Sequence, residues 1–184
     1  MDKSDHLHNP WKINHSEVTY ENPWIQVHHH AILHPTGKPG IYGVVHFKNL
    51  AVGILPIDEN GYTYLVGQYR FPLNAYSWEI PEGGSAIGES PLDTAKRELL
   101  EECGLLASTW EQLLELHLSN SATDEKAIVY LAQGISLDIA DPEDSEQLQI
   151  QKIHFDEVYQ MVMQGKITDA ISVAAILKYQ LMKR

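Results

Sequence analysis

The 184-residue sequence predicts an α/β fold, with helices covering a mixed β-sheet and a small antiparallel sheet ahead of it. Three observations carry that prediction. Residues 15–49 read as extended chain broken by turn signals. Strand and helix patterns interleave after them without the regular βαβ rhythm of a doubly wound fold. One helix in the middle of the chain is bounded by its own start and stop signals.

In the first segment Val18, Tyr20, Trp24, Ile25, Val27, Ile32, Ile41, Val44, Val45 and Phe47 lie on strand-like runs, with turns marked by Asn22-Pro23 and Pro35-Thr36-Gly37. Residues 1–48 are expected to form this antiparallel sheet and residues 49–184 the main domain. The runs AVGILPI at 51–57 and YTYLVGQY at 62–69 flank Asp58-Glu59-Asn60-Gly61, whose Asn-Gly pair predicts a β-hairpin. A short strand around Trp78–Ile80 leads into a glycine-containing loop from Pro81 to Glu89. In the helix that follows, Ser90 suits the N-cap, Pro91 the first helical position, and Asp93 completes a weak capping box. Leu92, Ala95 and Leu99 give it an apolar stripe, and Gly104 stops it. Strands near 113–118, 126–132 and 148–154 and helices over 156–164 and 169–182 complete the chain.

Composition narrows the function. Cys103 is the only cysteine, so neither an internal disulfide nor a cysteine-rich zinc site is available. A net charge of −12 argues against a nucleic-acid partner, since no basic surplus exists to neutralise phosphates. No stretch approaches the roughly 20 apolar residues of a membrane span. The start, MDKSDHLHNP, lacks the apolar core of a signal peptide. These features predict a soluble, cytoplasmic protein without a membrane partner. If its substrate is anionic, a divalent cation is the simplest source of attraction.

The informative segment is Arg97-Glu98-Leu99-Leu100-Glu101-Glu102-Cys103-Gly104. Glu98, Glu101 and Glu102 crowd one side of a helical turn, and like charges at these spacings cost about 0.2–0.5 kcal/mol per pair. Glu101 and Glu102 also sit in the last turn, where the helix dipole disfavours anions by about 0.3–1 kcal/mol each. Arg97 relieves part of this through an i, i+4 pair with Glu101. A solvated acidic face is the plain alternative. Hard oxygen ligands on a rigid helix fed by a glycine loop are, however, what Mg²⁺ requires, and a cation would turn the repulsion into coordination.

Gly83, five residues, Glu89, seven residues, and then the segment through Leu105 fill all nine specified positions of a 23-residue pattern. In that pattern the chain closely resembles the Nudix hydrolase family. The resemblance implies an α/β/α sandwich with a mixed sheet. It also implies Glu98 and Glu102 as principal metal ligands, Glu101 assisting and held by Arg97, and Glu89 reaching the metal directly or through water. Gly83 would let the loop turn sharply so that the carbonyl of Glu82 faces a metal. Mg²⁺ is the implied cofactor, with Mn²⁺ as a substitute. For Leu99 and Leu105 the reading is simply core.

The flanks Gln68-Tyr69-Arg70 and Ser77-Trp78-Glu79-Ile80-Pro81-Glu82-Gly83-Gly84 resemble the branch that cleaves ADP-ribose and nucleotide sugars, as do the extended N-terminal part and Gly165–Ser172. There Arg70 would contact the diphosphate or sugar and Glu79 would precede the box at the substrate. The N-terminal sheet would join two subunits in a homodimer. Glu125 aligns with a substrate-contacting glutamate, although Asn120 replaces a proline common in ADP-ribose hydrolases, which leaves the sugar open. Glu146, in the acidic stretch 141–146, aligns with a mobile-loop glutamate proposed as catalytic base, with Glu143 and Asp144 as alternatives in a shifted register and Glu101/Glu102 as another. Tyr20, Trp24 and Trp78 are candidates to stack on the base, or core aromatics.

The implied reaction is Mg²⁺-dependent hydrolysis of a nucleoside diphosphate sugar to a nucleoside monophosphate and a sugar phosphate. Rival readings are a family member acting on dinucleoside polyphosphates or NADH, and a nucleotide-sugar sensor without catalysis. Outside the box, His28-His29-His30 on a strand would put His28 and His30 on one face and His29 on the other. The sequence shows no carboxylate or fourth ligand nearby, which argues against zinc there.

Overall fold

The computed structural model describes residues 8–138 and 148–183. It divides into two compact units: the chain up to Lys48 together with Ser119–Glu125, and Asn49–Leu118 together with the chain from Lys126 on.

The first unit is an antiparallel meander of β1 (Lys12–Glu21), β2 (Ile25–Leu33) and β3 (Pro39–Phe47). Its two turns are those the sequence marks. Asn22 Oδ1 accepts the N–H groups of Trp24 (2.9 Å) and Ile25 (2.8 Å), and Gly37 takes φ +81° to close the second. The segment 119–125 lies against β3, where Val45 N–H donates to Ala122 O at 2.9 Å and Phe47 N–H to Asp124 Oδ1 at 2.9 Å. Ile13, Val18 and Tyr20 of β1 remain exposed.

The second unit holds two sheets. A four-stranded mixed sheet has the order β7 (Glu82–Gly84), β4 (Ala51–Ile57), β9 (Lys126–Leu137), β8 (Leu105–His117), with β4 and β9 parallel. An antiparallel sheet has the order β10 (Gln149–His154), β5 (Tyr62–Arg70), β6 (Ala75–Glu79). The helices are α1 (Pro91–Cys103), α2 (Phe155–Met163) and α3 (Ala170–Met182). Strand β4 explains the layering. Val52 and Ile54 join a core cluster with Ala95, Leu99 and Leu105, whereas Leu55 and Ile57 join another with Phe155, Ile171 and Ile176. A strand buried on both faces reads as a continuous apolar run, which is why residues 51–57 show no alternation.

Two expectations need correction. The Asp58–Gly61 turn forms, with Asp58 N–H donating to Tyr62 O (2.9 Å) and Gly61 at φ +79°, but the strands it joins are not hairpin partners. β4 pairs with β7 and β9, and β5 with β10 and β6. The buried faces of β4 are satisfied by partners distant in sequence, and these outweigh the local turn. The strand expected near 113–118 runs instead from Leu105 to His117. It is an edge strand with a bulge between Gln112 and Leu114, so its exposed polar residues hide its length.

Candidate active site

Helix α1 is delimited as its sequence dictates. Ser90 Oγ accepts the N–H of Asp93 at 3.1 Å, and Gly104 adopts φ +63° with its N–H on Leu100 O at 2.8 Å. Ala95, Leu99 and Cys103 are buried, and each large apolar side chain so buried contributes about 1.5–3 kcal/mol. That anchoring turns the opposite side of the helix, with Arg97, Glu98 and Glu101, toward the loop that precedes it.

Strand β7 brings the glycine segment alongside. Gly53 pairs with Glu82 and Val52 with Gly83. Gly83 does not make the sharp turn expected of it; the positive φ in this loop belongs to Gly88, at +86°. What Gly83 supplies is space, because a Cβ at this position would collide with the Glu98 carboxylate. Glycine here leaves room for a side chain fifteen positions later.

Arg97 organises the carboxylates. Its Nη1 donates to Glu98 Oε1 (2.7 Å) and Glu101 Oε2 (2.8 Å), its Nε to Glu89 Oε1 (3.0 Å), and its Nη2 to Glu89 Oε2 (3.1 Å) and Gly84 O (3.1 Å). The i, i+4 pair with Glu101 is present but shared three ways. Glu89 Oε2 also accepts from Thr94 Oγ1 (2.9 Å) and Ala86 N–H (3.1 Å). The hydrogen bonds from Arg97 hold the Glu89 carboxyl down at about 2, against the opposing effect of burial. Glu89 therefore brackets the loop to the helix.

Glu102 is buried, and its Oε2 accepts the Glu82 N–H at 3.0 Å. The Glu82 side chain is half-buried with its Oε2 enclosed, a feature the sequence reading, which used only its carbonyl, missed. Its Oε1 accepts from Arg70 Nη2 at 2.7 Å, and Oε2 has no hydrogen-bond partner among the described residues. Burial pushes the Glu82 carboxyl well above the usual range; Asp169 and Glu79 add to that and Arg70 opposes it. A buried carboxylate oxygen without a donor is costly, and the neighbouring carboxylates exclude a further anion. The donor set is all hard oxygen, which fits Mg²⁺ or Mn²⁺.

Arg70, at the end of β5, donates from Nε to Glu79 Oε2 at 3.0 Å, while its Nη2 donates to Glu82 Oε1. Its Nη1 carries no hydrogen bond among the described residues, which leaves donors for a ligand. Arg70, Ser77, Glu79, Glu82, Thr168 and Asp169 line a cavity of about 190 Å³. The sequence reading took Gly165–Ser172 only as part of the resemblance and gave Thr168 and Asp169 no role at the site. The available signal was Asp169 as N-cap of α3, where its Oδ2 accepts the Ser172 N–H at 2.7 Å. Ser172 Oγ in turn accepts the Ile80 N–H at 2.9 Å, which ties α3 to the strand bearing Glu79.

The structure thus gathers Arg70, Glu79, Glu82, Glu89, Arg97, Glu98, Glu101 and Glu102 in one unit. Trp78 is half-buried there, packed on the apolar cluster and edge-on to Tyr76 (centroids 5.6 Å apart), as a core aromatic is. Trp24, Tyr20 and Glu125 belong to the other unit, the two aromatics on its exposed surface. Glu146, with Glu143 and Asp144, lies outside the described residues.

The family model for the nucleoside diphosphate sugar hydrolase N-terminal domain matches residues 11–45, and that for the NUDIX domain matches residues 47–171. The ADP-ribose pyrophosphatase of Mycobacterium tuberculosis (strain ATCC 25618 / H37Rv) is 37% identical over 138 residues, 73% of this chain and 65% of that protein. A methanol dehydrogenase activator of Bacillus methanolicus is 33% identical over 133 residues, 71% of this chain and 72% of that protein. Among solved structures, one described as a crystal structure of ADP compounds hydrolase matches with a TM-score of 0.84 and 21% identity, covering 94% of this chain and 93% of that one. That likeness concerns the fold.

Proposed function

Because this chain belongs to the Nudix hydrolase family, we propose that it hydrolyses the pyrophosphate bond of nucleoside diphosphate sugars, ADP-ribose foremost, with Mg²⁺ as cofactor. The observation that carries the reading is the buried Glu102 bonded to the Glu82 N–H beside Glu98, with one enclosed Glu82 oxygen lacking a donor among the described residues. The N-terminal match and the name of the mycobacterial relative support the choice of substrate.

Glu98, Glu102 and the Glu82 segment would hold the metal. When bound, Mg²⁺ supplies charge neutralisation on the diphosphate oxygens and a more acidic water. Arg70 positions a phosphate through its Nη1 donors while Glu79 and Glu82 fix its plane. Arg97 keeps Glu98 and Glu101 in place. Glu101, Glu102 or Glu146 accepts the proton of the attacking water, and the products are a nucleoside monophosphate and a sugar phosphate. Mn²⁺ would substitute for Mg²⁺.

The N-terminal sheet is the proposed homodimer surface, supported by the exposed Ile13, Val18 and Tyr20 of β1; light scattering on the eluting protein tests it. Among the described residues no helix is long and apolar enough to cross a membrane. We place the enzyme in the cytoplasm, which fractionation of cells would check.

The deciding experiment measures phosphate-ester release from ADP-ribose, ADP-glucose, GDP-mannose, UDP-glucose, diadenosine polyphosphates and NADH, with Mg²⁺ and with EDTA. Metal-dependent cleavage of the diphosphate sugars above the others is expected. Cleavage confined to polyphosphates or NADH would overturn the substrate class, and binding without cleavage would favour a sensor.

A further inference from the structure

The first unit holds a cluster that the carboxylate site does not use. Strand β2 places His28 and His30 on one face, as alternation requires. The β2–β3 register sets Gln26 opposite His46 and His28 opposite Val44, which puts His46 on that same face, diagonal to His28. The His28 and His46 rings meet edge-on with centroids 4.3 Å apart, and those of His28 and His30 are 5.8 Å apart. One ring nitrogen from each of the three lies within 4.8 Å of the others.

Two further observations point to a ligand. His30 is only 9% exposed, and its Nδ1 has no hydrogen-bond partner among the described residues, a costly arrangement for an imidazole. His46 Nδ1 donates to Asp124 Oδ2 at 2.6 Å. A carboxylate on one ring nitrogen fixes the tautomer that leaves Nε2 a lone pair, the usual support behind a metal-bound histidine.

We propose that His28, His30 and His46 form a site for Zn²⁺ or a similar late first-row divalent ion, supported by Asp124 and separate from the Mg²⁺ carboxylates. Imidazole donors select such ions over Mg²⁺. Metal–nitrogen bonds of about 2.0–2.1 Å require the nitrogens to close slightly from their present spacing, a matter of side-chain rotation. His30 and His46 also line a cavity of about 400 Å³ with Trp11, Ile13, Ile32 and Tyr42, so the fourth position faces open space that water or a small ligand can fill. Because Asp124 belongs to the segment 119–125, the ion would bind that segment to the sheet. The sequence showed neither His46 nor Asp124 beside the His28–His30 run, since 16 and 94 residues separate them from His30.

The test uses the full chain freed of metal by chelator and titrated with Co²⁺, whose visible absorption reports nitrogen coordination, then with Zn²⁺ against a chromophoric chelator. The expected result is one equivalent of Co²⁺ giving a band displaced by Zn²⁺ but not by Mg²⁺. That band should persist in the Glu98→Gln/Glu102→Gln double variant and vanish in His28→Asn and His46→Asn. Asp124→Asn should weaken Zn²⁺ binding about 10–100-fold. No Co²⁺ band in the wild type, or a band lost in the glutamate variant and kept in the histidine variants, would overturn the assignment.

Discussion

Replacing Gly83 with alanine separates the proposed metal site from the fold. Gly83 lies in strand β7 paired with Val52, and its φ is not positive. Alanine therefore suits the backbone, and by restricting the unfolded chain it should shift stability by less than about 1 kcal/mol. The added Cβ meets the Glu98 carboxylate, the far end of a flexible side chain, which relieves the overlap by swinging away. Ordinary van der Waals spacing demands a retreat of roughly an ångström or more, and misplacement on that scale costs about 100-fold in rate. The expected result is a melting temperature within a few degrees of wild type and a fall of about two orders of magnitude in Mg²⁺-dependent AMP release from ADP-ribose. Raised Mg²⁺ should recover part of it. Wild-type turnover at limiting Mg²⁺ in a well-folded Gly83→Ala protein would refute both the packing argument and the role of Glu98.

Glu102→Gln keeps an acceptor for the Glu82 N–H but removes a buried charge; turnover at saturating Mg²⁺ should drop at least about 100-fold with folding intact by circular dichroism. Arg97→Ala leaves Glu89, Glu98 and Glu101 without their common cation. With Arg97 about one-third exposed, the expected cost is about 1–3 kcal/mol in urea unfolding, and Mg²⁺ should restore part of the loss. Acid should act through Glu89, whose folded pKa of about 2 lies below its ordinary 4.5. Its contribution is complete above about pH 4.5 and is lost as pH falls through 2; it amounts to less than about 3 kcal/mol after solvent screening. Urea unfolding from pH 5 to pH 2 should show an acid loss that shrinks in Glu89→Gln; an unchanged slope would remove Glu89 as its source.

Much of the candidate site is legible in the sequence because it is local. Glu98, Glu101, Glu102 and Arg97 lie within two successive turns of one helix, and the helical period alone brings them together. The caps at Ser90 and Gly104 are equally local, since each satisfies backbone groups within four residues. Other site features depend on chain segments that meet only in the fold. Nothing near Glu82 in sequence indicates that its carboxylate meets Arg70 while its N–H meets Glu102, nor that Asp169 raises its pKa.

The sequence by itself determined the strands of the first unit, the bounded helix α1, and the carboxylate pattern that assigns the family. All of these follow from periodicities and capping rules that act over a few residues. Only the tertiary structure decided that the Asp58–Gly61 turn separates two sheets, that Gly83 serves space for Glu98 rather than a turn, and that His46 joins His28 and His30 while Asp124 supports them. Strand pairing is chosen by which buried faces must be covered, and that depends on segments tens of residues apart. A local pattern can state what a segment prefers, but not which distant side chains will share its space.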